Sequence, residues 1–334
     1  MPCALPKRPT DGVGKMAELS NVQSIPASLA PKRRKAGLIL DIRRNKMLYL
    51  MLVPVILFYA IFHYGPMYGA IIAFKDFSPR LGIIGSEWVG LDHFKTFFGG
   101  AYFWRTIKNT LLISFYQLLF GFPAPILLAL LLNEVKNTLF KRTVQTITYM
   151  PHFISLVVIC GIIKDFTSSD GVINDLIAWM GGTRVTFLLE PGLFRPLYVV
   201  SGIWQNIGWG TIIYLAALTG IDMEQYEAAR IDGAGRWKQL VNITIPGIMP
   251  TIVILLILEV GRMMNVGFEK IILLYNPSTY ETADVVSSYV YRVGLQDFNY
   301  SFSSAVGLFN SAVNFTLLIF SNWMSRKLND TSLW

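Results

Sequence analysis

Residues 222–246 have the sequence DMEQYEAARIDGAGRWKQLVNITIP and separate two long apolar segments. The first half of the stretch is rich in helix formers, and Asp222 is a suitable N-cap for a helix that begins there. Gly233 and Gly235 permit a sharp reversal because glycine reaches positive φ without strain. Pro246 then opens the next apolar segment, where a missing N–H costs little. The pattern predicts a short amphipathic helix, a glycine turn and a second short helix with an apolar face at Trp237, Leu240, Val241 and Ile245.

The flanking apolar segments belong to a set of six windows that are almost free of charged residues and are each more than 20 residues long. A helix needs about 20 residues to cross a hydrocarbon core of roughly 30 Å. Helices satisfy every backbone polar group internally, and the windows lack the alternation of barrel strands. The sequence therefore predicts an all-α polytopic membrane protein. Its six transmembrane helices are placed at 47–74, 109–133, 143–163, 196–221, 246–268 and 298–325, the fifth being interrupted by Glu259 and Arg262.

Composition agrees with this class. The chain of 334 residues is 53% hydrophobic and 15% charged, and its mean hydropathy is +0.47. Soluble domains carry about 25% charged residues. These values exclude an ordinary soluble enzyme, a disordered chain and a collagen-like protein, and two cysteines cannot build a disulfide framework. No signal peptide is evident, because the first apolar window is too long for one.

The formal net charge of +8 reports orientation. With the N-terminus inside, six spans return the C-terminus to the inside, and the segments between them carry a net +9 inside and −1 outside. This satisfies the positive-inside rule. Both termini are thus predicted to be cytoplasmic. We predict a basic, largely disordered tail at 1–46, a six-helix membrane domain at 47–325 and a short tail at 326–334. The basic cluster before the first span is interpreted as a topology anchor and not as a nucleic-acid patch.

The stretch between the fourth and fifth spans also carries a recognisable motif. Glu227-Ala228-Ala229 is followed by three residues and Gly233, then by nine residues and Ile243-Thr244-Ile245-Pro246. This spacing resembles the EAA loop of ABC-importer membrane subunits, with Ile245 in place of the usual leucine. A lipid-surface helix is the alternative for an arbitrary loop. In that family the loop is a coupling helix that docks on an ATPase subunit. The resemblance therefore implies coupling positions at Glu227, Ala228, Ala229, Asp232, Gly233 and Trp237.

The wider resemblance covers most of the chain from about residue 45. Segments such as YGPMYG at 64–69, PHFIS at 151–155, GIWQNIGWG at 202–210 and GFEK at 267–270 look like polysaccharide permeases of the LplB type. These belong with the maltose-type sugar permeases, a group that includes a membrane subunit of bacterial alginate importers. The resemblance implies the type I ABC-importer permease architecture, a location in a bacterial inner membrane and import of oligosaccharides. It also implies as partners a second permease in a heterodimer, two ATPases and an external solute-binding protein.

The chain lacks its own energy source. A phosphate-binding loop requires G-x-x-x-x-G-K-[ST], and the only Gly-Lys pair, Gly14-Lys15, is followed by methionine. ATP and Mg²⁺ are therefore expected at the partner ATPase, and no cofactor is expected on this chain. His63, His93 and His152 are scattered and form no metal-binding pair, so each is interpreted as structural or interfacial.

Polar side chains within spans are costly and are functional candidates by default. Glu259 and Arg262 could form an ion pair within the fifth span or contact substrate. Asn310 and Asn314 share one side of the sixth span and could bind sugar hydroxyls or join helices. On the fourth span, stacking and polar contacts with sugar rings are the hypothesis, and membrane-interface anchoring is the alternative for its tryptophans. The candidates on that span are Trp204, Asn206 and Tyr214.

Two other classes of function compete with an ABC permease. A secondary transporter driven by an ion gradient would need discontinuous helices and buried ion ligands, for which one Glu–Arg pair is thin support. A membrane enzyme would need a catalytic constellation, and no motif supplies one. The residues do not rank alginate, pectin-derived and neutral oligosaccharides as substrates.

Overall fold

The computed structural model describes residues 38–329, with side chains from 41 to 327. The predicted disorder of residues 1–36 and the end of the predicted tail at 330–334 lie outside this range. The chain divides into two compact units, one ending at Pro66 and the other beginning at Met67. The first contains α1 (Leu38–Arg44), α2 (Lys46–Tyr59) and a π turn (Ala60–Tyr64), and α3 (Gly65–Met67) lies at the division. No residue of α2 is buried although the helix is almost wholly apolar, which suits lipid better than water.

The second unit is helical apart from two short strands. A 3₁₀ helix (Tyr68–Phe74) leads into β1 (Lys75–Asp76), which pairs antiparallel with β2 (Glu87–Trp88). The helices are α4 (Gly82–Gly85), α5 (Asp92–Gly99), α6 (Phe103–Glu134), α7 (Thr138–Tyr149), α8 (Leu156–Phe166), α9 (Val172–Trp179), α10 (Pro191–Thr219), α11 (Met223–Ile231), α12 (Arg236–Val260), α13 (Phe268–Leu274), α14 (Tyr280–Ala283), α15 (Val286–Tyr291) and α16 (Tyr300–Asn329). 3₁₀ turns lie at Met150–Phe153 and Pro277–Thr279, and a π turn at Arg292–Gln296.

All six predicted windows are largely helical, but not all are simple spans. Within the described residues, four helices are long and apolar enough to cross a membrane, and five if one bent pair counts as a span. The predicted fourth span is α10, which has 29 residues but is made less apolar by Gln205, Asn206 and its glycines. The fifth ends at Val260 and does not reach Phe268, because Gly261 begins a turn that carries the chain away from the helix axis. The four spans are Lys46–Phe74, Phe103–Glu134, Arg236–Val260 and Tyr300–Lys327.

The prediction of one continuous third helix at 143–163 is wrong. The helical stretch Thr138–Phe153 and α8 meet at an angle of 104°. Pro151 cannot donate a backbone hydrogen bond, and the backbone there forms a 3₁₀ turn. Ile154 is then extended, and the Ser155 side chain caps α8 by accepting from the N–H of Val158. A hydropathy pattern cannot report such a break, because both arms of the bend are apolar.

Three π turns are associated with prolines. They end at Tyr64, Gly121 and Thr244, and in each case a proline follows two residues later, at Pro66, Pro123 and Pro246. A proline ring clashes with the carbonyl four residues earlier, which here lies in the middle of each π turn. The wider i, i+5 turn relieves that clash and lets the helix continue. As a result, Pro246 does not open a separate helix: residues 236–260 form one helix, which replaces the predicted second short helix and the start of span five.

The core of the second unit consists of three apolar clusters around α10 and α16. One joins α6, α8, α10 and α13 through Ile113, Ile159, Phe194 and Ile271. Another packs Phe97, Met264, Val286, Phe302 and Val306 against one another. The third joins α6, α10 and α12 through Ala129, Tyr214, Leu218 and Ile248. The structure thus places α10 at the junction of two clusters, where it can position polar residues between them.

Close packing of α10 on α7 depends on Gly208. A Cβ at this position would lie 2.2 Å from the carbonyl oxygen of Thr148, which is backbone and cannot rotate away. We expect Gly208→Ala to lower the unfolding free energy by about 1–3 kcal/mol through overpacking. Thermal unfolding in detergent measures this. Gly307→Ala on α16 is the control, since a Cβ there meets nothing within 4 Å; equal melting temperatures for the two variants would contradict the prediction.

Candidate functional site

The predicted loop helix is confirmed in α11. Asp222 caps it as predicted, because its carboxylate accepts from the N–H of Glu224 at 2.9 Å. Gly233 has a φ of +74° and makes the reversal after the helix. Gly235 has a φ of −68°, so only the first of the two predicted turn glycines uses the left-handed region. Backbone strain therefore restricts the residue at 233 and not at 235.

The loop presents an open surface. Glu227, Ala228, Asp232 and Gly233 are exposed and Ala229 is half-buried. Trp237 is 74% exposed, so it does not contribute to the packed apolar face that its spacing predicts. Three other large apolar side chains near Trp237 in sequence are also exposed, namely Met223, Ile231 and Val241. Exposed apolar groups between polar ones are typical of a surface that binds another protein.

A polar cavity of about 310 Å³ lies at the other end of α12. Its walls come from α6, α10 and the turn that follows α12, and three of its lining residues carry charge: Glu259, Arg262 and Lys270. Its uncharged polar groups are mostly amides and hydroxyls of Ser114, Gln117, Tyr198, Gln205, Asn206 and Asn265. A concave site with a few convergent polar groups is the usual form of a small-molecule site.

The charges in this cavity do not neutralise one another. Glu259 and Arg262 form no ion pair within 4 Å, so the ion pair that their spacing allowed within span five is absent. The reason is that Arg262 lies in the turn beyond the end of α12, where its backbone N–H donates to the Glu259 carbonyl. Lys270 is buried and its Nζ donates to the carbonyl oxygen of Tyr198 at 3.1 Å. Its ammonium also lies 4.8 Å from the centroid of the Tyr198 ring. The cavity therefore has one more positive than negative group.

The seven predicted substrate-path residues separate into four groups. Asn206, Glu259 and Arg262 line the cavity together. Trp204 faces a separate apolar cleft with Phe166 and Val200. Tyr214 is 3% exposed and packs in the third core cluster, which excludes it from stacking on a sugar in this conformation. The remaining two, Asn310 and Asn314, hold the wall of the cavity.

These two asparagines join helix α16 to the turn after α12. Asn310 donates from Nδ2 to Asn265 Oδ1 at 2.8 Å, and Asn314 Oδ1 accepts from the N–H of Met264 at 3.0 Å. Ser114 on α6 donates to the carbonyl of Met263 in the same turn. The alternative role of joining helices therefore describes their contacts, and the turn they hold is the one that carries Arg262.

Sequence reasoning missed several cavity residues. For Gln117 the available signal was a polar side chain in a charge-free window. For Lys270 it was the position within the GFEK segment at 267–270. His152, beside the α7–α8 break, stacks on Trp209 with ring centroids 4.6 Å apart and contacts Asn206 Oδ1 through Nδ1 at 3.1 Å. This contact and the donation from Asn206 Nδ2 to the carbonyl of Gly202 at 3.1 Å orient the Asn206 amide at the cavity wall. Within residues 38–329, no cluster of His, Cys, Asp and Glu is arranged to hold a metal ion.

A second charged network was also unforeseen. Asp284 is fully buried and accepts from Arg105 at 2.9 Å and from Arg292 at 2.7 Å. Burial alone would lower the pKa of Arg292, but the hydrogen bond and charge of Asp284 raise it above its ordinary value. Asn109 donates to the Asp284 carbonyl and accepts from Arg195. Since these residues lie on α6, α10 and 284–292, the network ties three parts of the fold together.

Comparison with known proteins identifies the family. The family described as "Binding-protein-dependent transport system inner membrane component" matches residues 121–330, which includes α10, the EAA-like loop and all cavity residues after Leu118. The chain belongs to this family. A member of the family is an inner-membrane transport component, so the predicted location is confirmed. The EAA-like spacing at 227–246 was the sequence signal that led to it.

Relatives within the family cover nearly the whole chain. Protein LplB of Bacillus subtilis (strain 168) is 47% identical over 293 residues, 87% of this chain and 92% of LplB. The polygalacturonan/rhamnogalacturonan transport system permease protein YteP of the same organism is 44% identical over 93% of this chain and 97% of its own length. A chain from the crystal structure of a bacterial alginate ABC transporter, in complex with an alginate pentasaccharide-bound periplasmic protein, superposes with a TM-score of 0.82 at 47% identity. It covers 89% of this chain and 99% of that chain.

Proposed function

We propose that this chain is the permease subunit of an ATP-driven importer that carries oligosaccharides of the uronic-acid class into the bacterial cytoplasm by alternating access. The observation that carries the proposal is the single helix α12, which connects the EAA-like loop at one end to a positively biased polar cavity at the other. Relatives support the class of substrate. YteP is named for polygalacturonan/rhamnogalacturonan transport, and a solved structure similar to this chain is of a bacterial ABC transporter involved in the import of the acidic polysaccharide alginate.

The chemistry of the cavity suits a carboxylated sugar. Amide side chains both donate and accept, which matches the hydroxyl groups of a sugar ring. Arg262 presents a fork of donors that matches a carboxylate, and Lys270 adds a second positive charge nearby in the wall. Glu259 supplies an acceptor for hydroxyl hydrogens and keeps the net charge small, so that a bound anion can also leave. Weak, multiple contacts of this kind suit a transport path.

The subunit is proposed to act in an assembly. A second permease would complete a heterodimer, an external solute-binding protein would deliver the sugar, and two ATPase subunits would bind ATP and Mg²⁺. The exposed surface of α11 and Trp237 is the proposed docking surface for one ATPase, with Glu227 and Gly233 at its centre. ATP-driven closure of the ATPases would then move α11 and rock the helices around the cavity. No cofactor is assigned to this chain.

Substitution of Gly233 tests the coupling role. Alanine at a φ of +74° costs about 1–2 kcal/mol of backbone strain and reshapes the turn. In proteoliposomes with the full set of partners, we expect Gly233→Ala or Glu227→Ala to reduce ATP-driven uptake by tenfold or more, on the order of 1.4 kcal/mol in coupling. Copurification of the ATPase should fall in parallel.

Gly235→Ala is the matched control, because that glycine has a φ of −68° and open space around its Cα. It should transport at the wild-type rate. Uptake by the wild-type chain without any ATPase, driven by an ion gradient alone, would contradict the proposed function and favour a secondary transporter.

A further inference from the structure

One side-chain hydrogen bond joins the loop helix to the helix that reaches the cavity. The hydroxyl of Tyr226 on α11 lies 2.9 Å from Oγ1 of Thr244 on α12. Thr244 is 4% exposed and Tyr226 is half-buried, so the bond is shielded from competing water. Among the described residues, this is the only side-chain hydrogen bond between α11 and α12 that the geometry supports.

The covalent connection between the two helices is less direct. It runs through the exposed turn at 232–235, which contains two glycines with open space at their Cβ positions. Backbone bonding closes the turn on the side of α11, where the N–H of Ala234 donates to the carbonyl of Ala229 at 2.8 Å, and the amide of Gln239 donates to the carbonyl of Ala234 at 2.7 Å on the side of α12. A movement of α11 would therefore reach α12 through the backbone of the turn and, by a direct path, through the Tyr226–Thr244 bond.

Thr244 is well placed to receive such a movement. It is the last residue of the π turn Leu240–Thr244, the one irregular point within α12. From there the helix runs without a break to Glu259 at the cavity, a distance of about 22 Å at roughly 1.5 Å per residue. Single π turns inside α-helices are frequent at functional sites.

We infer that the Tyr226–Thr244 hydrogen bond is the strut that passes movement of the loop helix into α12 and so to the cavity, which makes Tyr226 and Thr244 positioning residues for transport. The inference rests on the proposed function, in which α11 docks on an ATPase. It assigns to Tyr226 a role distinct from docking: the tyrosine faces α12 and not the exposed surface that carries Glu227.

The experiment compares transport yield with ATP hydrolysis. Tyr226→Phe and Thr244→Val each remove one hydroxyl and keep the shape of the side chain. In proteoliposomes with the complete set of partners, each variant should lower the number of sugars imported per ATP about fivefold, which corresponds to a net hydrogen bond of roughly 1 kcal/mol. Copurification of the ATPase should stay at the wild-type level. The double variant should be no worse than either single one, and Thr244→Ser should retain the wild-type ratio.

Controls come from hydroxyls that make no contact between the two helices. Tyr68→Phe removes an exposed tyrosine hydroxyl, and Thr316→Val removes an exposed threonine on α16 that bonds only within its own helix. Wild-type sugar-to-ATP ratios in both Tyr226→Phe and Thr244→Val would overturn the strut. So would loss of ATPase copurification, because that result would assign Tyr226 to docking. Failure of the proposed function is a different result, namely a wild-type chain that imports no sugar when ATP is supplied.

Discussion

Replacing Asp284 by asparagine is expected to lower the unfolding free energy of the protein by about 3 kcal/mol, which is the scale for breaking a buried ion pair. The side chain of Asp284 is fully buried and serves two arginines at once. Without its charge, Arg105 and Arg292 would repel each other near a site from which water is largely excluded. The side chains of these arginines keep 29% and 20% exposure, so partial solvation limits the loss to the lower part of the expected range.

The effect should extend beyond the ion pairs. Ser288 donates to the carboxylate of Asp284 at 2.8 Å, and Arg105 Nε is buried with no partner among the described residues. A buried donor without a partner is already destabilising at this site. Because Asp284 connects to α6 and, through Asn109, to α10, the variant should unfold less cooperatively as well as at a lower temperature.

A matched control is available on the surface. Asp175 and Arg184 form an ion pair at 2.7 Å with 60% and 45% of their side chains exposed. Asp175→Asn should change stability by less than about 1 kcal/mol, since water competes for exposed charges. Thermal unfolding in detergent, followed by intrinsic fluorescence, distinguishes the two variants. Equal and small shifts would show that the Asp284 network does not stabilise the fold.

Much of the architecture could be predicted because hydropathy is a strong local signal. The six apolar windows are largely helical, and the capping of α11 by Asp222 and the positive φ of Gly233 follow from local residue chemistry. The break between α7 and α8 could not be foreseen, because Pro151 and Ser155 only disfavour a helix and do not fix the direction of the next one. The π turns could not be predicted either, because a proline in an apolar window does not determine whether the helix breaks or continues through a wider turn.

The site was harder to predict because it is assembled from distant segments. Gln117, Asn206 and Lys270 meet only after α6, α10 and α13 have packed, and no spacing in the sequence relates them. Glu259 and Arg262 were placed on one helix, but the helix ends between them, which separates their side chains. Asn310 and Asn314 share one side of α16 as their spacing indicates, and within the described residues their side chains bond the turn after α12.

Charge in the cavity should decide between acidic and neutral sugars, and Arg262 is the residue that tests this. It lies in the turn held by Asn314 and Ser114 and forms no ion pair within the described residues, so its guanidinium is free to bind a carboxylate. A hydrogen bond between charged groups is worth about 1.5–3 kcal/mol. Arg262→Gln should therefore raise the apparent KM for a uronate oligosaccharide by at least about tenfold, because 1.4 kcal/mol corresponds to that factor.

Removal of the negative charge at Glu259 should not weaken recognition of acidic sugars. Glu259→Gln removes the negative charge from the same cavity and exchanges one carboxylate oxygen for an amide donor, so the apparent KM for a uronate oligosaccharide should stay unchanged or fall. Neutral sugar transport should change by less than about twofold in Arg262→Gln, which separates loss of charge recognition from loss of fold or coupling. Arg326→Gln, at an exposed position on α16, controls for the general loss of an arginine. Equal losses for acidic and neutral sugars in Arg262→Gln would assign Arg262 to the structure of the turn and remove it from the substrate path.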